Sequence, residues 1–188
     1  MWWSETRVLV RALRLAIVLS SAGLTAACFQ PLYGERSFEG SGPGLREKFA
    51  SVDVLPIDAP GGSPAARLGV EVRNDVVFAL QGGNGRNSPT HALKISLVPT
   101  SSSIIVDIHT ARPDVENYGV NATYTLVELA TGKQVVSAST FSRVSYDIPG
   151  QEQRFARARA QRDAENRAAK VIADHIQARL ASYFVAGT

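Results

Sequence analysis

The residue whose surroundings indicate the most specific chemistry is Cys28, the only cysteine in this 188-residue sequence. It follows three arginines, a short apolar run (15–24) and the small residues 25–27. A basic start, a short apolar stretch and a small-residue exit are typical of a secretory signal, whereas a spanning helix needs about 20 apolar residues. The exit resembles a bacterial lipobox, so we expect residues 1–27 to be removed and Cys28 to be acylated. The alternative is an ordinary secretory signal with an incidental cysteine.

The composition after this leader excludes several classes of protein. The leader carries three arginines and one glutamate, which leaves 17 basic against 16 acidic residues in the mature chain. This balance gives no reason to expect a nucleic-acid partner. Without a second cysteine there is no intramolecular disulfide, so the stability of the mature domain must come from a hydrophobic core.

The sequence shows no recognisable enzyme motif and predicts neither a metal nor a cofactor. His91, His109 and His175 are scattered, and no zinc-ligand spacing appears. The glycines from Gly82 follow a predicted helix instead of preceding one, so they do not form a phosphate loop. Asp163 and Glu165 are two residues apart on a helix and face different directions, so they are not a catalytic pair.

Arginines at the start of the last predicted helix are the candidate binding residues. Four cations lie within eleven residues there: Arg154, Arg157, Arg159 and Arg162. Cations near a helix N-terminus oppose the helix dipole, and arginine binds phosphate with two parallel hydrogen bonds. We therefore predict an anion-binding patch, to which Arg112, in the turn before a long strand, could contribute. The alternative is a solvated basic face.

Apolar periodicity and turn residues predict the elements that position these arginines. Residues 28–48 read as a tether, and 51–57 as a strand that Pro56 confines to an edge or a strand end. Ser63 and Pro64 should start a helix. The four-residue spacing of its apolar residues predicts one buried face, made of Leu68, Val72, Val76 and Leu80. Gly82 and Gly83 should end the helix.

Strands and one long helix are predicted for the rest of the chain. The strands cover 92–98, 103–108 (separate, or a continuation past Pro99), 118–129 and 134–144, with a tight turn at 131–133 closing a hairpin. The helix runs from about 152 to 184. An apolar residue recurs every four positions along it: Ala156, Ala160, Ala164, Ala168, Ile172, Ile176, Leu180 and Phe184. Five more residues should widen this ladder into a packing face: Phe155, Ala158, Ala169, Ala173 and Tyr183.

The order β-α-β-β-β-α predicts the fold class. We expect an α+β two-layer sandwich with two helices on one face of a mostly antiparallel sheet of about four strands. One such domain should occupy residues 49–188.

Several runs in this order resemble the LPS-assembly lipoprotein family LptE. The runs are 28–34, which is similar to the acylated start of the family, 68–76 with the recurrent pair Arg73-Asn74, 121–126 with the turn 131–133, and 163–169. The resemblance implies two helices on a four-stranded sheet. It also implies a non-enzymatic outer-membrane lipoprotein that plugs the LptD β-barrel, helps to assemble it and assists lipopolysaccharide insertion into the outer leaflet. For lipopolysaccharide contacts it points to Arg112 and to Arg157 or Arg159.

Two other functions remain open from the sequence. A lipid- or solute-binding carrier lipoprotein facing the periplasm would need an enclosed apolar cavity with polar groups at its mouth, whereas a plug should be solid. An envelope hydrolase is disfavoured because no nucleophile–base pair is recognisable. Co-purification of a stoichiometric β-barrel partner would distinguish the plug from the carrier.

Overall fold

The computed structural model of this chain describes residues 44–82, 88–107, 112–148 and 154–187, without the side chains of 104–107, 112–114 and 154. Three helices and four strands follow in chain order: α1 Leu45–Ala50, β1 Val52–Val54, α2 Pro64–Gln81, β2 His91–Asp107, β3 Arg112–Glu128, β4 Gln134–Asp147 and α3 Arg154–Ala186. The sheet order is β1-β2-β3-β4. β1 is parallel to β2, and the other two pairs are antiparallel. The predicted α+β fold class is therefore confirmed.

Both long helices pack on one face of the sheet. α2 lies over β1 and β2, while α3 lies over β3 and β4. A single core joins the helices to alternate residues of the strands, such as Leu93 on β2 and Val120 and Leu126 on β3. The residues between these on β3, including Asn121 and Thr123, are exposed on the opposite face. The alternation predicted from the sequence therefore sets the two layers.

Helix α2 begins and ends at the predicted residues. The Ser63 hydroxyl accepts a hydrogen bond from the Ala66 N–H at 3.1 Å, and Pro64 occupies the first turn. Gly82 ends the helix with φ +60°, a left-handed conformation that glycine adopts without a Cβ clash. The four predicted apolar positions from Leu68 to Leu80 are all buried.

Strand β1 is shorter than predicted, and it forms a covered edge of the sheet. Its three residues pair with β2 alone. From α2, the Arg73 Nε donates to the Val54 carbonyl at 3.0 Å, and the Gln81 side chain donates to the Val52 carbonyl at 3.1 Å. The side chains of α2 thus occupy carbonyl groups that an added strand would need. The preceding helix α1 starts at Leu45 and buries Phe49, so the last residues of the predicted tether belong to the folded domain.

Strand β2 continues through Pro99, which answers the question that the sequence left open. The Leu55 N–H donates to the Leu93 carbonyl at 3.0 Å, so the odd-numbered residues of this part of β2 direct their backbone groups toward the β1 side. Pro99 is one of them and pairs in register with Val120 of β3. Proline is tolerated here because the missing N–H would point away from β3. It also removes a donor from the edge of β2 beyond β1.

Helix α3 carries the predicted ladder, which is fully buried only from Ala164 to Leu180. Ala164, Ala168, Ile172, Ile176 and Leu180 are fully buried. Ala156, Ala160 and Phe184 are half-buried, Ala169 and Ala173 are buried, and Tyr183 is half-buried. The expectation that Phe155 and Ala158 widen this packing face is wrong: Phe155 is 89% exposed and Ala158 is also exposed. An α-helix has 3.6 residues per turn, so side chains spaced four residues apart shift gradually around its surface. The buried face at the middle of α3 therefore does not predict which side chains are buried near its start.

Candidate functional site

The predicted basic patch lies where α3 begins. Arg154 is the first residue of the helix, and its side chain is outside the description. Arg157, Arg159 and Arg162 are exposed. The first turn holds no acidic residue, so the helix dipole and these cations oppose each other there.

Arg157 contacts a carboxylate from the sheet, which the sequence reasoning missed. Its guanidinium lies 3.6 Å from Glu116 of β3. Glu116 also accepts hydrogen bonds from the hydroxyls of Tyr146, at 2.8 Å, and of Ser101. Burial, followed by the hydrogen bond to the Glu116 carboxylate, raises the pKa of Tyr146 to about 12. Glu116 thus partly neutralises Arg157, and the register of β3 with β2 and β4 brings this cluster together.

Arg159 and Arg162 are the more available half of the patch. They lie one helical turn apart and are exposed. Within the described residues neither forms an ion pair. Two guanidinium groups at this spacing can bind one anion jointly.

Arg112 does not lie in a turn, contrary to the prediction. It is the first residue of β3 and pairs in register with Asp107 of β2. Glu116 follows four residues later on the same strand, about 14 Å away along it. Arg112 and the start of α3 are therefore at the same end of the sheet, although the contacts of the Arg112 side chain are outside the description.

Two carboxylates of α3, Asp163 and Glu165, have structural partners. Asp163 is exposed and bonds Arg167 at 2.7 Å. Glu165, only 3% exposed, accepts a hydrogen bond from Arg67 of α2 and another from Gln161 at 3.3 Å. Burial and, secondarily, the negative charge of Glu165 raise the pKa of Tyr118 to about 12. This ion pair joins the two long helices and was not foreseen.

Histidines do not come together into a metal site in the described part of the chain. His91 bonds Thr90 at 2.8 Å and has an edge-on ring contact with Phe184 at 5.3 Å. Burial lowers its pKa. His175 bonds Thr140 of β4 at 2.7 Å. His109 lies outside the described residues.

A groove of about 780 Å³ lies at the end of the domain where α1 meets the end of α3. Its lining mixes charged, polar and aromatic side chains, including Glu47, Lys48, His91, Glu128 and Tyr183. This groove is open to solvent, unlike the enclosed apolar cavity that a lipid carrier needs.

Comparison with known families identifies the domain. The model of the lipopolysaccharide-assembly family LptE matches residues 49–180. This chain belongs to the LptE family. The match covers α2, the whole sheet and most of α3. Of the pair Arg73-Asn74, which resembles the family, the Arg73 side chain donates a hydrogen bond to the Val54 carbonyl at the edge of β1. The contact that the structure describes for Arg73 is therefore structural.

One solved structure supports the same fold. A protein of Caulobacter crescentus assigned as a lipoprotein is 19% identical, with a TM-score of 0.59 over 77% of this chain and 97% of its own. The rare lipoprotein B of Shewanella oneidensis is 16% identical, with a TM-score of 0.49 over 72% of this chain and 95% of its own. The comparison with curated proteins gives no match.

The described residues do not test the predicted lipid anchor. Among the described residues, no helix is both long and apolar enough to cross a bilayer. Cys28, the signal peptide and the tether as far as residue 43 lie outside the description, so acylation of Cys28 stays a prediction.

Proposed function

We propose that this LptE-family chain is an outer-membrane lipoprotein that plugs an LptD-like β-barrel, helps to assemble it and assists lipopolysaccharide insertion into the outer leaflet. It acts without catalysis, as a rigid scaffold. The family match over residues 49–180 carries the proposal. The acyl chains on Cys28 would hold the domain at the membrane, and multiple chains are needed because one acyl chain binds only marginally.

The core of the domain supports a plug more than a carrier. The fully buried residues Val72, Leu93, Val120, Leu126 and Ile172 come from both layers and belong to one cluster. Buried side chains therefore fill the space between the helices and the sheet, where a carrier would hold its lipid. The opposite face of the sheet presents hydroxyl and amide side chains such as Ser137, Asn121 and Thr123, which suit a polar lumen.

Lipopolysaccharide contact is proposed for the basic patch, with its residues ranked by the structure. Arg159 and Arg162 should contribute most, because both are exposed and neither has an ion-pair partner among the described side chains. Arg157 should contribute less because Glu116 already contacts it. Arg112 and Arg154 lie at the same end of the domain and remain candidates.

Co-purification tests the plug. The acylated chain is extracted from membranes in mild detergent, and its partners are identified by mass. A stoichiometric β-barrel protein is expected; recovery of the chain with no barrel protein would overturn the proposal.

Charge reversal tests the patch separately. Arg159→Glu together with Arg162→Glu should weaken lipopolysaccharide binding, and the loss should shrink as salt rises, because exposed charges are screened beyond about 8 Å at physiological ionic strength. The matched control is Lys94→Glu with Lys170→Glu, two exposed cations elsewhere whose reversal changes the net charge equally. Equal weakening by both pairs would show a bulk charge effect and exclude the patch.

A further inference from the structure

The start of α3 extends beyond the hydrophobic core. From Phe155 to Asp163 no side chain is buried, and Ala164 is the first that is. Ala156 and Ala160 are half-buried, whereas residues 155, 157–159, 162 and 163 are exposed. These turns are therefore attached to the domain along one side, and their opposite side is in contact with water.

The contacts of α3 determine which of its side chains point away from the sheet. Arg157 lies 3.6 Å from Glu116 of β3. Each residue of a helix turns by about 100°, so Phe155, Arg159 and Arg162 lie within about 60° of one another and at least about 140° from Arg157. These three residues form one stripe on the side of α3 that faces away from the sheet, and we call it the outer stripe.

The aromatic ring of Phe155 has no packing role in the described domain. Its side chain is 89% exposed, the highest value among the exposed large apolar side chains of the described residues. Contact between such a ring and water is unfavourable, and the gain on burying it grows with the apolar area removed from water. The ring is therefore available to a partner that offers apolar surface.

The two arginines of the outer stripe are available to an anion. Neither Arg159 nor Arg162 forms an ion pair with another described side chain. The nearest carboxylate in the sequence of the described helix belongs to Asp163, which already bonds Arg167 at 2.7 Å. A guanidinium group binds phosphate through parallel hydrogen bonds and is only weakly hydrated. The arginine pair therefore favours a ligand that carries phosphate.

The order of the three side chains matches the two-part structure of an anionic lipid. The helix rises 1.5 Å per residue, so Arg159 lies about 6 Å from Phe155 along the helix axis and Arg162 about 10.5 Å. A ligand that contacts the whole stripe must carry negative charge and apolar surface within this length. A soluble phosphorylated sugar would leave the ring in water, and a neutral lipid would leave the arginines unpaired.

We propose that the outer stripe binds the phosphorylated, acylated end of one lipopolysaccharide molecule. Arg159 and Arg162 bind a phosphate group, and the ring of Phe155 packs against an acyl chain of the same molecule. This inference rests on the proposed function for the identity of the lipid, and it adds an apolar contact to the basic patch. One domain binds one lipid in this way, which is compatible with a single plug inside a barrel.

Two probes separate the apolar contact from the charge: lipopolysaccharide, and the same molecule stripped of its acyl chains. Each is titrated into the full chain in one mild detergent. Phe155→Ala should weaken binding of intact lipopolysaccharide roughly tenfold, because the buried ring contact is lost, and should leave binding of the deacylated probe unchanged. Arg159→Glu with Arg162→Glu should weaken binding of both probes. Phe78→Ala is the matched control, because Phe78 is 72% exposed on α2 and its loss should affect neither probe.

Tryptophan fluorescence locates the acyl chain. The two tryptophans of the sequence, Trp2 and Trp3, lie in the predicted leader, so the mature chain has none. In Phe155→Trp, the emission should shift to shorter wavelength when intact lipopolysaccharide is added, because the indole ring leaves water. It should not shift with the deacylated probe, and the emission of Phe78→Trp should shift with neither.

The outcomes distinguish this inference from the function on which it rests. A wild-type chain that binds neither probe would overturn the lipopolysaccharide role and the inference together. Binding of intact lipopolysaccharide that Phe155→Ala leaves unchanged, or that Phe78→Ala weakens equally, would overturn the inference alone. Vesicles containing phosphatidylglycerol are a third probe. If they bind more tightly than lipopolysaccharide and show the same loss for Phe155→Ala, the stripe binds a membrane surface and the inference is overturned.

Discussion

At the scale of single residues, the ion pair between Arg67 and Glu165 joins the two long helices. The two partners differ in exposure: the Arg67 side chain is 47% exposed and that of Glu165 is 4% exposed. Removing the arginine would leave a buried carboxylate unpaired, whereas neutralising the glutamate would leave a guanidinium that water can solvate. The cost of breaking the pair should therefore depend on which partner is changed.

We predict that Arg67→Ala destabilises the fold more than Glu165→Gln. The first variant should lower the free energy of unfolding by about 2–3 kcal/mol, because an unpaired buried charge is costly. The second should cost about 1 kcal/mol, because the amide can still accept a hydrogen bond from Arg67. Urea unfolding measures both. Asp163→Asn is the surface control. The ion pair between Asp163 and Arg167 is exposed, so losing it should lower the free energy of unfolding by at most about 1 kcal/mol. A larger loss for Glu165→Gln than for Arg67→Ala would contradict this account.

At the scale of elements, α3 combines a packing function with the candidate site. Its small residues Ala164 and Ala168 have no exposed surface, and this allows the helix to lie close to the sheet. Its first turns are exposed and carry the arginines. Packing therefore begins where the basic patch ends, and substitutions in the two parts should affect different properties.

Substitutions along α3 should separate its buried face from its exposed start. Ala168→Leu should cost about 1–3 kcal/mol by overpacking, and Ile176→Ala about 2–5 kcal/mol by leaving a cavity. Ala158→Leu is the matched control for the first, because Ala158 is exposed and should change stability by less than about 0.5 kcal/mol. Thermal unfolding reports the differences. Equal melting temperatures for all three variants would mean that this face is not buried.

At the scale of the whole molecule, the attachment to the membrane is predicted to depend on one atom, the Cys28 sulfur. No other cysteine can replace it. Cys28→Ser should therefore leave an uncleaved or soluble chain with no acyl mass. Mass spectrometry of the native membrane form should give a chain that begins at Cys28 with added acyl mass; a chain that begins there without added mass would contradict the anchor.

Local signals in the sequence were sufficient for most of the architecture. The Ser63 cap, the Gly82 stop and the apolar positions of α2 depend on residues within a few positions of one another, and all three predictions are confirmed. The hairpin turn is likewise confirmed, with Gly132 at φ +68°. The two-layer order follows from the succession of these elements because each has one apolar face to bury. The limits of α1 could not be predicted, because a six-residue helix is too short to show a repeating pattern of apolar residues. The end of the α3 packing face near Phe155 could not be predicted either, because the row of apolar side chains shifts gradually around the helix.

The sequence by itself determined the elements, their apolar faces and the basic start of α3, because these are fixed by neighbouring side chains. Only the tertiary structure decided which arginines are available. Glu116 reaches Arg157 because strand register brings β3 to the start of a helix 41 positions later in the sequence. Pairings between distant segments depend on how the strands align, and a single sequence carries no local signal for that alignment.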